Sequence, residues 1–282
     1  MKQLIDNITS QLLACYPEDE ARSMAWWIVE EETGLSRSQI LSGCKITKNF
    51  AHVQEVIERL LHFEPIQYIF GHTEWCGLDL KVTPATLIPR PETAELVERI
   101  NLQSTIFNIQ SSIRVLDVGT GSGCIAIALK KAHPEWQVTG IDISPEAIEV
   151  ARENAKRNGV DITFQVADIF SDSIGDFDLV VSNPPYIRES EKSSMRPNVL
   201  DFEPHTALFV PDSDPLRFYR RIAHIAHHTS HIKHHTLPLF FEINEAFGEE
   251  MRDLLADLGY TDILITNDIY GKARIIEGRM VG

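Results

Sequence analysis

The stretch Phe177–Ile187 begins with the pattern of a buried strand and continues into two consecutive prolines, which a sheet cannot accommodate. Its first half is apolar and β-branched, which is typical of a strand inside a sheet. Pro184 and Pro185 have no backbone N–H to donate, so the strand must end at Asn183 and the chain must turn stiffly. The predicted corner therefore lies at the carboxyl edge of a strand, where open α/β sheets bind ligands.

This corner, Asn183-Pro184-Pro185-Tyr186, carries three groups that suit a planar NH2. Asn183 Oδ1 and the Pro184 carbonyl can each accept one hydrogen, and Tyr186 can pack on the plane of the group. The same residues also fit an ordinary strand followed by a proline-rich turn. The residues upstream favour the ligand-binding interpretation.

A glycine-rich turn follows the buried run Ile113–Val118, with the sequence Gly119-Thr120-Gly121-Ser122-Gly123, and leads into an apolar helix. Glycines at such a turn let a ligand press against the backbone and leave helix-terminal N–H groups free. The spacing is G-x-G-x-G, whereas a dinucleotide fingerprint is G-x-G-x-x-G. The turn therefore implies no pyrophosphate.

Two carboxylates end the next two predicted strands, because Asp142 follows Val138–Ile141 and Asp168 ends Ile162–Ala167. Asp142 stands about as far after the glycine turn as a ribose-binding carboxylate is expected. Either carboxylate could instead cap the helix that follows it. Their position beside the glycine turn favours a site that grips a nucleoside through its hydroxyls and base.

The N-terminal part of the chain predicts a different architecture. Residues 1–72 carry apolar stripes at helical spacing, which indicates a small helical bundle. Residues 73–82 alternate on both sides of a glycine, which predicts a β-hairpin. We therefore expect a helical domain at 1–72 that docks substrate, a hairpin linker at 73–92 and an α/β domain at 93–282.

One cation stands out at the end of the linker, in the segment Leu87–Thr93. Arg90 is flanked by two prolines, and Pro91 is well placed as the first residue of a helix. Arg90 is either a solvated loop charge or a cation that a stiff loop presents near the mouth of the site.

Composition limits the partners of this chain. It is 43% hydrophobic and 24% charged, with 26 Lys and Arg against 41 Asp and Glu and a formal net charge of −15. Binding of nucleic acid through phosphates normally needs a basic face, so we expect a protein or small-molecule partner and no direct nucleic-acid contact. The sequence shows no membrane-length apolar run and no signal-peptide pattern, so we expect no membrane association.

The cysteines and histidines give weaker indications. Cys15, Cys44, Cys76 and Cys124 show no paired spacing, which argues against a disulfide framework or a zinc knuckle and favours the cytoplasm. The histidines cluster near the C-terminal third, at His224, His227, His228, His231, His234 and His235. No cysteine or carboxylate accompanies them, so an exposed His-rich helix and loop is favoured over a metal site.

Taken together, these motifs resemble those of the protein-(glutamine-N5) methyltransferases that modify peptide-chain release factors. The similar segments cover most of the chain: Pro65–Ile69, Leu87–Thr93, Leu116–Ile127, Ser182–Ile187 and Phe202–Leu208. Asn-Pro-Pro-Tyr alone also occurs in enzymes that methylate exocyclic amines of adenine or guanine. Leu87–Thr93 and the helical N-terminal region are more specific to the family.

The chain departs from the family pattern in a few turns. Glycine usually follows Glu-Ile in the fifth strand, where this chain has Glu242-Ile243-Asn244. The turns before Leu216 and before that strand are also less glycine-rich here. We expect these departures to alter loop shape and to leave the residues of the chemistry untouched.

The resemblance implies an α/β fold, namely a Rossmann-like class I S-adenosylmethionine-dependent methyltransferase domain with a seven-stranded, mostly parallel sheet, beside a small N-terminal helical domain. It implies S-adenosylmethionine as cofactor, S-adenosylhomocysteine as product, no metal, and release factors as partners, with the glutamine of their Gly-Gly-Gln loop as acceptor. The implied cofactor-binding residues are Gly119, Thr120, Gly121, Ser122, Gly123, Asp142, Asp168, Ile169 and Asn183. The implied catalytic residues are Asn183, Pro184 and Tyr186, and Pro185 and Arg90 join them in binding substrate.

Two other functions remain open from the residues alone. A nucleic-acid amino-methyltransferase could use the same corner, although the acidity of the chain weighs against it. A non-enzymatic nucleoside-binding or scaffold protein is the other alternative, although the glycine turn, Asp142 and Asn183 together weigh against it.

Overall fold

The computed structural model describes residues 1–44, 50–106, 112–229 and 237–280. The helices of these residues are, in chain order, α1 Lys2–Leu12, α2 Glu18–Thr33, α3 Arg37–Leu41, α4 Val53–Leu61, α5 Ile66–Phe70, α6 Pro91–Ile106, α7 Cys124–Ala132, α8 Pro145–Arg157, α9 Pro197–Leu200, α10 Arg217–Thr229 and α11 Gly248–Asp257. The strands are β1 His72–Trp75, β2 Leu78–Lys81, β3 Arg114–Val118, β4 Gln137–Asp142, β5 Thr163–Val166, β6 Leu179–Ser182, β7 Ile187–Arg188, β8 Phe209–Val210, β9 Leu237–Glu242, β10 Thr261–Asn267 and β11 Ala273–Met280. The chain forms two compact units, Met1–Phe70 with Arg196–Phe202, and Gly71–Met195 with Glu203–Gly282.

The first unit is helical, as its sequence predicts, and is built from α1–α5 and α9. Apolar stripes on α1, α2 and α4 meet in one core that includes Ile8 and Leu60. The helix ends are fixed locally. Gly34 ends α2 in the left-handed region at a φ of 67°, and Ser36 and Gln39 form a capping box at the start of α3.

Among the described residues, no helix of the chain is long and apolar enough to cross a membrane.

The short segment Arg196–Phe202 belongs to this helical unit, whereas the sequence placed it in the α/β domain at 93–282. Arg196 Nη1 donates to Glu20 Oε2 at 3.2 Å, between residues 176 positions apart. Pro197 then opens α9 at its first position. A contact at such separation leaves no local pattern, so periodicity and turn signals could not reveal this excursion.

The second unit contains a seven-stranded sheet in the order β10-β11-β9-β6-β3-β4-β5. The strands from β9 to β5 are parallel, and β11 runs antiparallel to both β9 and β10. Val115 packs with the α6–α8 side and Leu116 with the α10–α11 side, so helices cover both faces of the sheet. The predicted fold class is confirmed.

Strand β3 marks the point where the strand order reverses. The chain runs from β3 through β4 to β5 on one side and then returns to β6 on the other side of β3. Loops that leave β3 and β6 in opposite directions open a crevice at the carboxyl ends of these strands. The glycine turn and the Asn-Pro-Pro-Tyr corner are the segments that border it.

The predicted hairpin is present as β1 and β2, with His72 paired to Lys81. It is part of the second unit rather than a linker, because Trp75, Leu78 and Leu80 are buried in the core that α6, α7 and α8 share. The alternation of the sequence predicted the strands. It could not show that their apolar face packs against helices far along the chain.

Asn154 on α8 forms hydrogen bonds with both this hairpin and the glycine turn. Its side chain is fully buried, accepts a hydrogen bond from Lys81 N at 2.6 Å, and donates to Lys81 O and Ser122 O, each at 2.9 Å. All of its hydrogen-bonding groups are thus used for backbone atoms, with β2 on one side and the turn on the other. The hairpin and the glycine turn are consequently held together through one buried side chain.

Replacing Asn154 by Ala is expected to lower the free energy of unfolding by about 3 kcal/mol, because it leaves buried backbone groups of Lys81 and Ser122 without partners. Guanidinium unfolding measures the change. Asn158→Ala is the matched control, since Asn158 also donates to the hairpin, at Asp79 O, but near the surface. Its cost is expected to stay below about 1 kcal/mol, and equal costs for both variants would contradict the assignment.

Candidate active site

The parallel register brings the ends of three strands to one level. Val118 of β3 is paired with Ile141 of β4 and with Ser182 of β6. The residues that come next on these strands, Gly119, Asp142 and Asn183, therefore emerge side by side. The structure thus places the glycine turn, the first carboxylate and the Asn-Pro-Pro-Tyr corner along a single edge of the sheet.

The glycines of the turn serve two different purposes. Gly119, Gly121 and Gly123 have φ angles of 69°, 54° and 81°, which L side chains rarely adopt. A Cβ at Gly119 would meet no atom within 4 Å, so the backbone there faces open space. A Cβ at Gly123 would come within 3.2 Å of Ala151 Cβ and Ile127 Cδ1, so Gly123 is required for packing of α7 and α8.

A buried carboxylate that the sequence reading missed lies behind the turn. Asp117, the fourth residue of β3, is fully buried and accepts a hydrogen bond from Thr120 Oγ1 at 2.6 Å on Oδ2. Its Oδ1 has no hydrogen-bond partner among the described residues. Burial raises the pKa of Asp117 to about 7, and the Thr120 bond offsets only part of that effect.

Asp142 is held by the turn itself. Gly121 N donates to Oδ2 at 2.9 Å, and Ser144 N donates to Oδ1 at 3.0 Å. Burial raises the pKa of this carboxyl, and the two N–H groups partly offset the rise. Each oxygen keeps a further lone pair, so Asp142 can still accept hydrogen bonds from two hydroxyls.

Asp168 is placed differently from Asp142. Its Oδ1 accepts from Phe170 N at 2.9 Å and its Oδ2 from Ser171 Oγ at 3.2 Å, so it closes the turn that follows β5. In the described stretch between Asp168 and β6 no helix follows, so Asp168 caps a turn and the helix-capping alternative was wrong for this residue. Ile169, by contrast, is buried with its side chain in the wall of the cavity described below.

Hydrogen bonds connect the Asn-Pro-Pro-Tyr corner to a buried glutamate. Asn183 Nδ2 donates to Thr93 Oγ1 at 3.2 Å, and Thr93 Oγ1 donates to Glu242 Oε2 at 2.7 Å. Tyr186 Oη donates to the other carboxylate oxygen at 3.0 Å. Glu242 is 1% exposed and lies beside the corner because Ser182 of β6 is paired with the residue before it.

Burial dominates the electrostatics of this cluster. It raises the pKa of Glu242, and the hydrogen bonds from Thr93 and Tyr186 partly offset the rise. Burial and the Glu242 charge both raise the pKa of Tyr186, which keeps that hydroxyl protonated and able to donate. Arg274 contributes a nearby positive charge that favours the ionised carboxylate.

Tyr186 is anchored at its hydroxyl and its ring packs with the core cluster on the α10–α11 side. Asn183, Pro184 and Pro185 line the cavity. The stacking of Tyr186 on an acceptor therefore stays a prediction.

Arg90 is paired with a buried glutamate, and its side chain remains 32% exposed. Its Nη2 donates to Glu203 Oε1 at 2.5 Å, and the other oxygen of Glu203 accepts from Ile88 N at 3.3 Å. The Glu203 side chain is 1% exposed, and burial raises its pKa while the Arg90 charge opposes the rise. The two segments that this pair joins, Leu87–Arg90 and Pro204–Ala207, both contribute to the wall of the cavity.

A cavity of about 520 Å³ runs along this edge of the sheet. Small-molecule sites commonly measure about 300–1,000 Å³. Its lining includes Arg90, Thr93, Gly119, Thr120, Gly121, Ser122, Asp142, Asp168, Ile169, Asn183, Pro184 and Pro185. Phe170 and Phe218 add aromatic surface, with the Arg217 guanidinium 4.7 Å from the centroid of the Phe170 ring.

These residues fit S-adenosylmethionine. The open backbone at Gly119 suits the methionine part, Asp142 retains acceptor capacity for ribose hydroxyls, and Ile169 and Phe170 offer an apolar wall for a purine. Asn183 lines the same cavity.

The departure from the family pattern at Glu242-Ile243-Asn244 does reach the corner. Asn244 Nδ2 donates to Tyr186 O at 3.2 Å, and Asn244 Oδ1 accepts from Ala246 N at 3.0 Å. The expectation that these residues leave the chemistry untouched was therefore wrong, because β9 ends directly beside the turn of β6.

Among the described residues, no group of three or more His, Cys, Asp or Glu is arranged to hold a metal ion. His224 lies on α10. His231, His234 and His235 lie outside the described residues, as do the side chains of His227 and His228. All four cysteines are free thiols.

Comparisons with known proteins agree with this geometry. A family model for the PrmC N-terminal domain matches residues 3–71, and one for the methyltransferase small domain matches residues 96–199. A crystal structure of a methyltransferase from Pyrococcus furiosus has a similar fold, with a TM-score of 0.51, 18% identity, and coverage of 80% of this chain and 97% of that one. Fold and site therefore define a Rossmann-like, S-adenosylmethionine-dependent methyltransferase.

Sequence relatives define the family more closely. A release factor glutamine methyltransferase of Bacteroides thetaiotaomicron is 42% identical over 286 residues, which cover 98% of this chain and 99% of the relative. One from Flavobacterium psychrophilum is 41% identical, with 97% and 98% covered. This chain belongs to the release factor glutamine methyltransferase family.

The buried Asp117 makes stability depend on pH in a defined direction. Its pKa of about 7 in the fold exceeds the ordinary value of 3.8, so between these values the folded protein binds more protons than the unfolded chain. The Asp117 contribution is present below about pH 4 and is lost as the pH rises through 7.

We therefore expect the Asp117→Asn variant to gain stability relative to the parent protein as the pH rises from 4 to 7, by at most on the order of 4 kcal/mol. Urea unfolding of both proteins without cofactor, at several pH values, measures this difference. A difference in unfolding free energy that stays constant over this range would contradict the buried titration.

Proposed function

We propose that this protein transfers the methyl group of S-adenosylmethionine to the side-chain amide nitrogen, N5, of the glutamine in the Gly-Gly-Gln loop of peptide-chain release factors. The observation that carries the proposal is the corner at the end of β6. There an amide oxygen and a proline carbonyl stand at the cavity edge, and Asn183 Nδ2 is already committed to Thr93.

A carboxamide nitrogen is a poor nucleophile because its lone pair is delocalised into the carbonyl. Bound S-adenosylmethionine supplies a strongly electrophilic methyl group, so the protein mainly has to orient and polarise the acceptor. Asn183 Oδ1 and the Pro184 carbonyl each accept one hydrogen of the glutamine NH2. This favours a pyramidal nitrogen whose lone pair faces the methyl group, and it stabilises the positive charge that develops on nitrogen.

The two prolines keep these acceptors in place. Pro185 has no N–H that could bond to a carbonyl of its own turn, and both rings restrict the backbone. Acceptors that are fixed before the substrate arrives lose little free energy to reorganisation in the transition state. The methylated nitrogen is acidic and can release its proton to water, so no side chain with a specially adjusted pKa is required.

On the cofactor side, we assign Gly119, Thr120, Gly121 and Ser122 to the methionine part and Asp142 to the ribose. Ile169 is assigned to the adenine. Asp168 supports the adenine wall through the turn it closes, and Gly123 supports the turn through packing. Arg90 is assigned to the shape of the substrate entrance, because its charge is paired with Glu203.

The experiment is transfer of tritium from labelled S-adenosylmethionine to purified release factor, to a release factor whose acceptor glutamine is replaced, and to a mixture of DNA and RNA. Label is expected only in the intact release factor. Label in nucleic acid would instead identify an amino-methyltransferase of nucleic acid, and cofactor binding without label anywhere would indicate a binding protein.

Asn183→Ala is expected to lower the transfer rate at least about 100-fold, because the transition state loses an oriented acceptor. Calorimetric titration should show cofactor affinity within severalfold of the parent protein. Asn267→Ala is the matched control, since Asn267 is exposed on β10 and is not among the cavity-lining residues. An Asn183→Ala variant with an unchanged rate would contradict the mechanism.

The helical unit is proposed to dock the release factor, and a cytoplasmic location belongs to the same proposal because release factors act on ribosomes. A docking surface contributes binding that is equal in the ground state and the transition state. Leu41→Ser, at a leucine that is 70% exposed on α3, is therefore expected to raise the KM for release factor severalfold without changing kcat. Leu264→Ser, at an exposed leucine on β10, is the control, and an unchanged KM for Leu41→Ser would remove this face from the docking surface.

A further inference from the structure

The hydrogen bonds behind the corner have a fixed direction. The ionised Glu242 carboxylate, which the charge of Arg274 favours, can only accept hydrogen bonds, so the single hydroxyl hydrogen of Thr93 points to Glu242 Oε2, 2.7 Å away. Thr93 Oγ1 is then left with lone pairs alone towards Asn183. The contact of 3.2 Å between them can form only if Asn183 presents its NH2 group.

This direction determines which end of the Asn183 amide faces the cavity. The oxygen and nitrogen ends of an asparagine side chain have nearly the same shape, so packing alone discriminates poorly between its two flipped states. With Nδ2 bound to Thr93, Oδ1 must point away from Thr93. The described residues give Oδ1 no donor of their own, so it is available to a ligand.

We propose that Thr93 and Glu242 are positioning residues that set the hydrogen-bond polarity of the active site, by holding the Asn183 amide in the state that offers an acceptor to the substrate. The identity of that substrate as a glutamine amide rests on the proposed function above. In the flipped state, the Asn183 NH2 would face the NH2 of the substrate, and two donors repel.

The same carboxylate also fixes the far end of the corner, since Oε1 accepts the Tyr186 hydroxyl at 3.0 Å. A change at Glu242 therefore disturbs Asn183 and Tyr186 together. Thr93 touches only the Asn183 branch through its hydroxyl, which makes it the cleaner position for a test.

Thr93→Val keeps the shape of the side chain and removes the hydroxyl. We expect kcat for methylation of release factor to fall about tenfold, which corresponds to losing a preference worth one hydrogen bond. The cofactor dissociation constant should stay within about twofold. Thr93→Ser restores the hydroxyl and should recover kcat to within about threefold of the parent protein.

A double-mutant cycle separates positioning from a general structural role. If Thr93 acts through Asn183, Thr93→Val should change the residual rate of Asn183→Ala by less than about twofold. A tenfold effect of Thr93→Val in both backgrounds would overturn the proposal, and so would equal losses for Thr93→Ser and Thr93→Val.

A measurement on the parent protein tests the geometry without relying on turnover. In a 15N-labelled sample, the side-chain NH2 of Asn183 should show one pair of resonances with a nuclear Overhauser effect to the Thr93 methyl group; the pair is identified by its loss in Asn183→Ala. Two interconverting pairs, or no effect to Thr93, would overturn the proposal. Absence of release-factor methylation by the parent protein would instead count against the proposed function alone.

Discussion

The site depends on the register of β4, β3 and β6, which aligns the carboxyl ends of these three strands. Pairing of Val118 with both Ile141 and Ser182 brings three chain segments to the same edge, although Val118 and Ser182 are 64 positions apart in sequence. A shift of one residue in a parallel pair would turn each side chain to the other face of the sheet. Buried apolar residues on both faces of these strands oppose such a shift, so core packing also determines where Gly119, Asp142 and Asn183 emerge.

The site combines apolar packing with carboxylates that are costly to bury. Asp117 and Glu242 are almost inaccessible to solvent, and their raised pKa values report the free-energy cost of removing them from water. Neighbouring hydroxyls offset part of this cost by donating hydrogen bonds. Each carboxylate accepts one from a threonine, and Glu242 accepts a second from a tyrosine. Hydrogen bonds to an ionised carboxylate have one possible direction, which gives the neighbouring groups a defined orientation that apolar contacts do not provide.

The sequence predicted the parts of the fold that local patterns control. Apolar runs located the strands around the site, two prolines predicted the end of β6 to within one residue, and Ser144 and Pro145 marked the start of α8. The resemblance added the seven-stranded sheet and the cofactor. The relation of Arg196–Phe202 to the helical unit and of the hairpin to α8 depends on contacts between distant residues, so no local pattern contained them.

The same limit applied to the site residues. The sequence singled out Asn183 and Asp142 because each stands at a strand end beside a conspicuous turn, and both line the cavity. Thr93 and Glu242 were missed because a threonine in the first turn of a helix and a glutamate at the end of a strand look like ordinary capping or surface residues. Their purpose becomes visible only when α6 and β9 meet at the corner, 149 positions apart in sequence.

Restricted backbone and an ion pair together fix the loop that carries Arg90 at the wall of the cavity. The prolines beside Arg90 restrict its backbone, yet a stiff loop still needs a fixed point on the rest of the unit. Glu203 supplies that point with both carboxylate oxygens, one to the Arg90 guanidinium and one to Ile88 N. The Trp75 indole donates to Arg90 O at 2.8 Å from the opposite side, so the loop is tied to the hairpin as well. The loop that carries Arg90 is therefore fixed by Glu203 and by the hairpin, and the guanidinium charge is balanced by a buried carboxylate where Arg90 borders the cavity.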